Sequence, residues 1–440
     1  DVEGWQNQQF WGNGEFALPF GNYDVKITVP NDHIVEATGV LENRKEVYSS
    51  TMMKRFKQAK KSYDQPVFIV TQEEAEANEK SVPTGTKTWH FTAENVRDFA
   101  FTSSRKFIVD MMNVDINGSD VMAVSVYPKE GNPLWEQWST KTVASALKSY
   151  SNMTFDYPYH KAISVHADDV GMEYPMICFN FGRPDESGYY SDRTKFGMIG
   201  VIIHEIGHNF FPMIVNTDER QWGWMDEGLN SFVQIIAEQD FGKTHPEAIP
   251  GLDHYPSDDM DPQNIVPYMS GEQDFIAPIM SNPENVFQLG PNAYSKPATA
   301  LNILRETVMG RKLFDHAFKT FSQRWMFKHP TPEDFFRTME DASAFDLDWF
   351  WRGWFFTTDV VDMGVTEVKD LKKLGDDKRY FSLYFQRSLQ NLTPSELQNR
   401  KESKKFYEVV FEKPGGIPMP LIVEYSYADG QPNVKPIPRK

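Results

Sequence analysis

The chain has 440 residues, room for two or three domains, and its 40% apolar and 14% aromatic content excludes a disordered chain. A formal charge of −17, from 62 acidic and 45 basic residues, excludes the basic surface that nucleic-acid binding needs. No apolar run approaches the roughly 20 residues that span a bilayer, and the single cysteine, Cys178, excludes an intrachain disulfide.

In chain order, residues 1–128 read as a β-rich domain. YDVKITVP (23–30) alternates, KTWHFTAENV (87–96) is strand material, and DVMAVSVYP (120–128) is Val-rich between turn residues. The polar stretch 72–86 reads as a solvated connection. From 129 to 360 the pattern is mainly helical, opening with LWEQWSTKTVASALKSYSNM (134–153), whose apolar residues recur at helical spacing. KAISVHA (161–167) and MEYPMICFNF (172–181) form a strand pair, followed by apolar helices over 195–215 and 225–241. Residues 243–293, rich in Pro, Asp, Asn and Gly, allow only short helical pieces, and helices resume from 297 to about 357. Residues 361–440 return to β as an incomplete β-sandwich-like segment: RYFSLYF (379–385), FYEVVFE (406–412) and PLIVEYSY (420–427), the last two joined across KPGGIPM. The fold class expected is therefore multidomain α+β.

The chemistry concentrates in HEIGH, 204–208. Residues four apart share a helix face, so His204 and His208 can offer imidazole nitrogens to one ion, and zinc accepts such ligands while keeping a position for water. Glu205 is then placed to take a proton from that water. The competing reading, two core histidines, must also account for a carboxylate inside an apolar helix, where an unpaired charge is costly. Gly207 is a poor helix former, which points to close approach of another element. Glu227, in WMDEGLNSF, follows His208 after 18 residues and is the candidate third ligand, although an acidic residue in a first turn also serves the helix dipole. Asp226 either orients a ligand or caps the helix.

HEIGH, the 18-residue gap and WMDEGLNSF resemble the zinc signature of the aminopeptidase N and leukotriene-hydrolase family of zinc metallopeptidases, the gluzincins. GMEYP (171–175) resembles the family's Gly-Ala-Met-Glu-Asn motif, and NAYSKPATALNIL (292–304) resembles the segment with its catalytic tyrosine. The resemblance implies a thermolysin-like catalytic domain over 129–360 that holds one Zn²⁺ on His204, His208 and Glu227. It implies Glu205 as general base and Tyr294 as donor to the oxyanion; Glu173, with Gly171 and Met172, would bind the free amine of a peptide substrate. Without it, Glu173 reads as a solvated strand residue and Tyr294 as a core tyrosine. Tyr174, followed by Pro175, stands where the family has Asn, Pro297 stands where Gly is common, and no equivalent of the family's amine-contacting Gln is apparent in the N-terminal part. The activity implied is that of an aminopeptidase. An endopeptidase, a hydrolase of non-peptide substrates and a non-catalytic scaffold remain as alternatives. The sequence leaves oligomeric state open and reads as soluble, a periplasmic or secreted setting being favoured over the cytoplasm.

Overall fold

The computed structural model describes residues 4, 7–257, 261–370, 407–426 and 432–437. They fall into two units, residues 1–358 and 359–440.

The first unit opens with β1 (Gly21–Pro30), whose alternating burial follows its alternating sequence. β2 (Ile34–Ala37) and β3 (Val40–Leu41) follow, then α1 (Arg44–Val47), α2 (Ser50–Ala59) and β4 (Val67–Val70). The expected solvated connection 72–86 instead begins with a helix, α3 (Gln72–Glu79). Thr71 and Glu74 form a reciprocal capping box, each side chain accepting from the other's backbone N–H, and this local bonding fixes a polar helix in which only Ala75 is buried. β5 (Thr86–Val96), β6 (Phe101–Ser104), β7 (Ile108–Ile116) and β8 (Ser119–Tyr127) complete the β-rich part.

The 20-residue α4 (Leu134–Met153) occupies the span its periodicity predicts. After it come β9 (Lys161–His166), β10 (Gly171–Tyr174) and β11 (Ile177–Asn180). The single strand expected over 172–181 is thus a hairpin, because Pro175 cannot donate to a ladder and Met176 turns the chain at φ 65°. Asn209 Oδ1 accepts the Met176 N–H at 2.7 Å and holds the turn.

A six-stranded sheet orders these strands β10-β11-β9-β8-β7-β4, with β8, β9 and β11 parallel. It crosses the expected boundary at 128/129, since β7 and β8 share it with β9 to β11. β9 is buried along its whole length, as an interior parallel strand should be. β10 is the edge: β11 lies on one side, and among the described residues no strand lies on the other.

α5 (Asp192–Gly207) packs across β10 and β11. It stops at HEIGH rather than continuing to 215, because Pro212 has no N–H and its ring would meet the preceding turn. A wide, π-type turn at Trp224–Gly228 leads into α6 (Leu229–Thr244), and α4 packs on both α5 and α6. Short pieces, among them α7 (Val266–Met269), precede a second π-type turn, Gly290–Ser295, and α8 (Lys296–Ile303). α9 (Arg311–Arg324), α10 (Pro332–Ser343) and α11 (Asp348–Phe356) close the unit. There Trp224, Phe335, Phe336, Trp351 and Phe355 pack ring against ring, so Phe350, Trp351, Trp354 and Phe355 of the aromatic run are core while Phe356 is exposed.

In the second unit β12 (Gly364–Asp370) pairs with β13 (Tyr407–Glu412), and β14 (Leu421–Ser426) with β15 (Pro432–Ile437). The strands on either side of KPGGIPM therefore find other partners than each other. RYFSLYF lies outside the described residues.

Candidate metal centre and amine pocket

The last turn of α5 places His204 and His208 one above the other, and the π-type turn before α6 brings Glu227 to them. The two Nε2 atoms lie 3.0 Å apart, and Glu227 Oε2 lies 3.0 and 3.2 Å from them. A tetrahedral ion with ligands at about 2.0–2.1 Å sets them roughly 3.3 Å apart, so the triangle has the right size for zinc.

Its protonation also fits. Gln234 donates to Gly200 O and Glu238 Oε1, which turns its own Oε1 to His204 Nδ1 at 2.8 Å. His204 Nδ1 is therefore the donor, and Nε2 presents its lone pair. His208 Nδ1 lies 2.8 Å from Phe211 O and 3.0 Å from Asp226 Oδ1, so His208 Nε2 is likewise turned inward as a lone pair. Two imidazole lone pairs and a carboxylate oxygen aimed at one point repel unless a cation lies between them.

Glu205, next to the first ligand, is 4% exposed, and its Oε2 has no partner, as expected of a carboxylate kept for a water or substrate. Burial raises its pKa against the pull of both histidines. Gly171 fits β10 against it: a Cβ there would lie 2.7 Å from Glu205 Oε1. Gly207 has the same logic. A Cβ would meet Asn230 Oδ1 at 2.1 Å and the Tyr150 hydroxyl at 2.2 Å, so α4 and α6 are the close neighbours that the glycine admits. Asn230 Nδ2 donates to His204 O at 2.8 Å, tying α6 to the ligand-bearing turn. Tyr294, on the second π-type turn, donates to Glu227 Oε1 at 2.6 Å and stacks on His204. Such turns frequently mark functional sites, and two of them meet here.

Glu173, on β10, is 4% exposed and not the solvated strand residue its sequence context alone suggests. Its Oε1 has no partner, and burial raises its pKa well above normal. Met172 is half-buried beside it. Oxygens of Glu15, Glu173, Glu219 and Asp226 all lie within 4.8 Å of one another. Glu15 is the residue missed: the sequence carries no recognisable amine-contacting Gln, but the structure puts a carboxylate beside Glu173. Burial and Glu173 push its pKa up to about 9. Nothing local marks a lone Glu some 160 positions before its partner; only the tertiary fold joins them.

A cleft of about 1600 Å³ opens beside His204, bounded also by Tyr294, Val201, Gly197, Arg183 and Tyr255. His204 and Tyr294 line this cleft, whereas Glu15, Glu173, Glu219 and Asp226 do not.

Residues 138–354 match the peptidase family M1 domain. The chain carries an M1 peptidase domain. It is 29% identical over 203 residues to leucine aminopeptidase 2 of Emericella nidulans, covering 42% of this chain and 30% of that protein. It is 23% identical over 245 residues to glutamyl aminopeptidase of Bos taurus, covering 53% of this chain and 24% of that one. The chain thus spans less than a third of the length of these relatives. The M1 zinc metallopeptidase of Deinococcus radiodurans superposes with a TM-score of 0.52 at 14% identity, over 76% of this chain and 64% of its own, which establishes the likeness of fold. A form of that protein bound to a Tyr-Ser-Ala substrate gives 0.51 with the same coverage. Among the described residues of the M1 domain and its flanks, no helix is long and apolar enough to cross a membrane.

Proposed function

We propose that the chain is a zinc-dependent aminopeptidase, holding one zinc on His204, His208 and Glu227 and removing the first residue of peptides with a free N-terminus. The observation that carries this is the buried acidic cluster next to the triangle: Glu15 and Glu173 lie with Asp226, which touches His208, and none of the cluster lines the open cleft that His204 and Tyr294 border. A buried carboxylate pair is stabilised by an incoming ammonium, and the ammonium gains charge-assisted hydrogen bonds. The M1 domain and the aminopeptidases among the relatives support the same reading.

Bound zinc would supply a Lewis acid that polarises the scissile carbonyl and brings the pKa of a water toward 7. Glu205, through the unpartnered Oε2, accepts the proton of the attacking water and later passes it to the leaving amine. Tyr294 turns its phenolic hydrogen from Glu227 to the developing oxyanion. The backbone of Gly171 and Met172 carries the substrate's first residues along β10, and Asp226 and Gln234 fix the two rings.

The test compares an aminoacyl amide with its N-acetylated form, with and without chelator, in the native chain and in Glu205→Gln. Hydrolysis should require the free amine and zinc. Glu205→Gln should retain zinc by elemental analysis while kcat falls about 10³-fold, within the span of general-base effects. Equal cleavage of the acetylated form would instead indicate an endopeptidase, and zinc without hydrolysis a binding protein.

A further inference from the structure

Two buried arginines outside the reaction both point at the segment that carries Glu15. This segment, Gln9–Leu18, has neither helix nor strand structure. Its backbone is held by side chains from far along the chain. Arg220, 4% exposed, donates through Nη1 to Gly14 O at 3.3 Å and Glu15 O at 3.1 Å, and through Nη2 to Gln9 O at 3.0 Å. Arg97, 3% exposed, donates to Phe16 O, to Asn216 Oδ1 and to Glu219 Oε1. Glu219 Oε2 accepts the Phe16 N–H at 3.3 Å, Asn216 Nδ2 donates to Leu18 O at 2.6 Å, and Glu284 Oε1 accepts the Gly14 N–H at 3.1 Å.

A guanidinium offers five donors, and burying one is costly unless they are used. Here both Nε atoms lack a partner, and it is the Nη groups that reach the carbonyls of Gln9, Gly14, Glu15 and Phe16 on a strap with no ladder of its own. Residues 216–220 lie in the connection between His208 and Glu227, so the anchor of the strap is part of the loop that delivers the third ligand. Glu15, between Gly14 and Phe16, has clamped neighbours on both sides. Its carboxyl is thereby fixed beside Glu173, Glu219 and Asp226, the oxygens of all four lying within 4.8 Å of one another.

We infer that Arg97 and Arg220 are positioning residues that hold Glu15 in the amine pocket and thereby set the preference for a free N-terminus. This rests on the aminopeptidase reading above. Arg220→Ala should raise KM for an aminoacyl amide about tenfold with kcat within twofold, the pattern of lost ground-state binding, and should narrow the preference over the acetylated amide by a similar factor. In a Glu15→Gln background the same substitution should add little, because both changes act through one carboxylate. Arg220→Lys, retaining a donor, should recover part of the loss. Hydrogen exchange at the amides of residues 9–18 should accelerate in Arg220→Ala, while circular dichroism and zinc content stay unchanged.

Unchanged KM and exchange in Arg220→Ala, or a KM effect fully additive with Glu15→Gln, would overturn the clamp. A native chain inactive on every free-amine substrate would sink the aminopeptidase reading instead, and the exchange measurement would still decide whether the arginines hold the strap.

Discussion

Each ring nitrogen of His204 and His208 has one job, and neighbours assign it. Gln234 is the clearest case, because its own amide is oriented by Gly200 O and Glu238 before it accepts from His204 Nδ1. Removing it frees the ring to rotate and to exchange tautomers. Gln234→Ala is expected to weaken zinc binding 10- to 100-fold, roughly the usual effect of losing such a partner, as read by competition with a chromogenic chelator. The grouping of His204, His208 and Glu227, with Glu205 beside them, is legible in the sequence because the relation is local or nearly so: a four-residue helical repeat and a short return. That Tyr294 and Glu173 lie next to this group is indicated only by the family resemblance. Gln234 and Glu15 were not legible, since a glutamine on a polar helix face and a glutamate near a turn have many ordinary uses.

At the scale of elements, periodicity placed α4 and most strands well, and missed where backbone chemistry overrides it. Pro212 ends α5 inside an apolar run, Pro175 and Met176 break one strand into two, and the Thr71–Glu74 box makes a helix of a polar stretch. The π-type turns escape a 3.6-residue template altogether, and they carry Glu227 and Tyr294. The packing of α5 between α4 and α6 has a sharp requirement at Gly207. With Asn230 Oδ1 and the Tyr150 hydroxyl 2.1 and 2.2 Å from any Cβ, Gly207→Ala should cost roughly 3 kcal/mol in chemical denaturation, despite the better helix propensity of alanine. An unchanged midpoint would show that α4 and α6 yield more easily than their buried hydrogen bond suggests.

For the whole molecule, the sheet that joins β7 and β8 to β9 through β11 makes stability a shared property of the first unit. Within it Asp110 is 1% exposed and accepts from Tyr127 at 2.7 Å and from Thr140. Burial pushes its pKa up to about 7, against the pull of those two hydroxyls. The folded chain therefore holds a proton that the unfolded chain, with an ordinary carboxyl near 3.8, has released. The contribution is fully present below the unfolded value and is lost as pH rises through about 7. Asp110→Asn should remove that component, so that the difference in Tm between variant and native chain moves in the variant's favour from pH 4 to pH 8. A pH-independent difference would show that Asp110 is ionised throughout.

Among the described residues no strand pairs with the outer edge of β10, and Gly171 lets β10 press against Glu205. An unpaired row of amides and carbonyls is a template for one more strand, and a peptide lying there would be read through its main chain before its side chains. An imino acid breaks such pairing wherever its nitrogen must donate. Peptides with proline in second place should therefore be turned over far more slowly than their alanine counterparts, whatever their first residue, and a panel of matched tripeptides would reveal it.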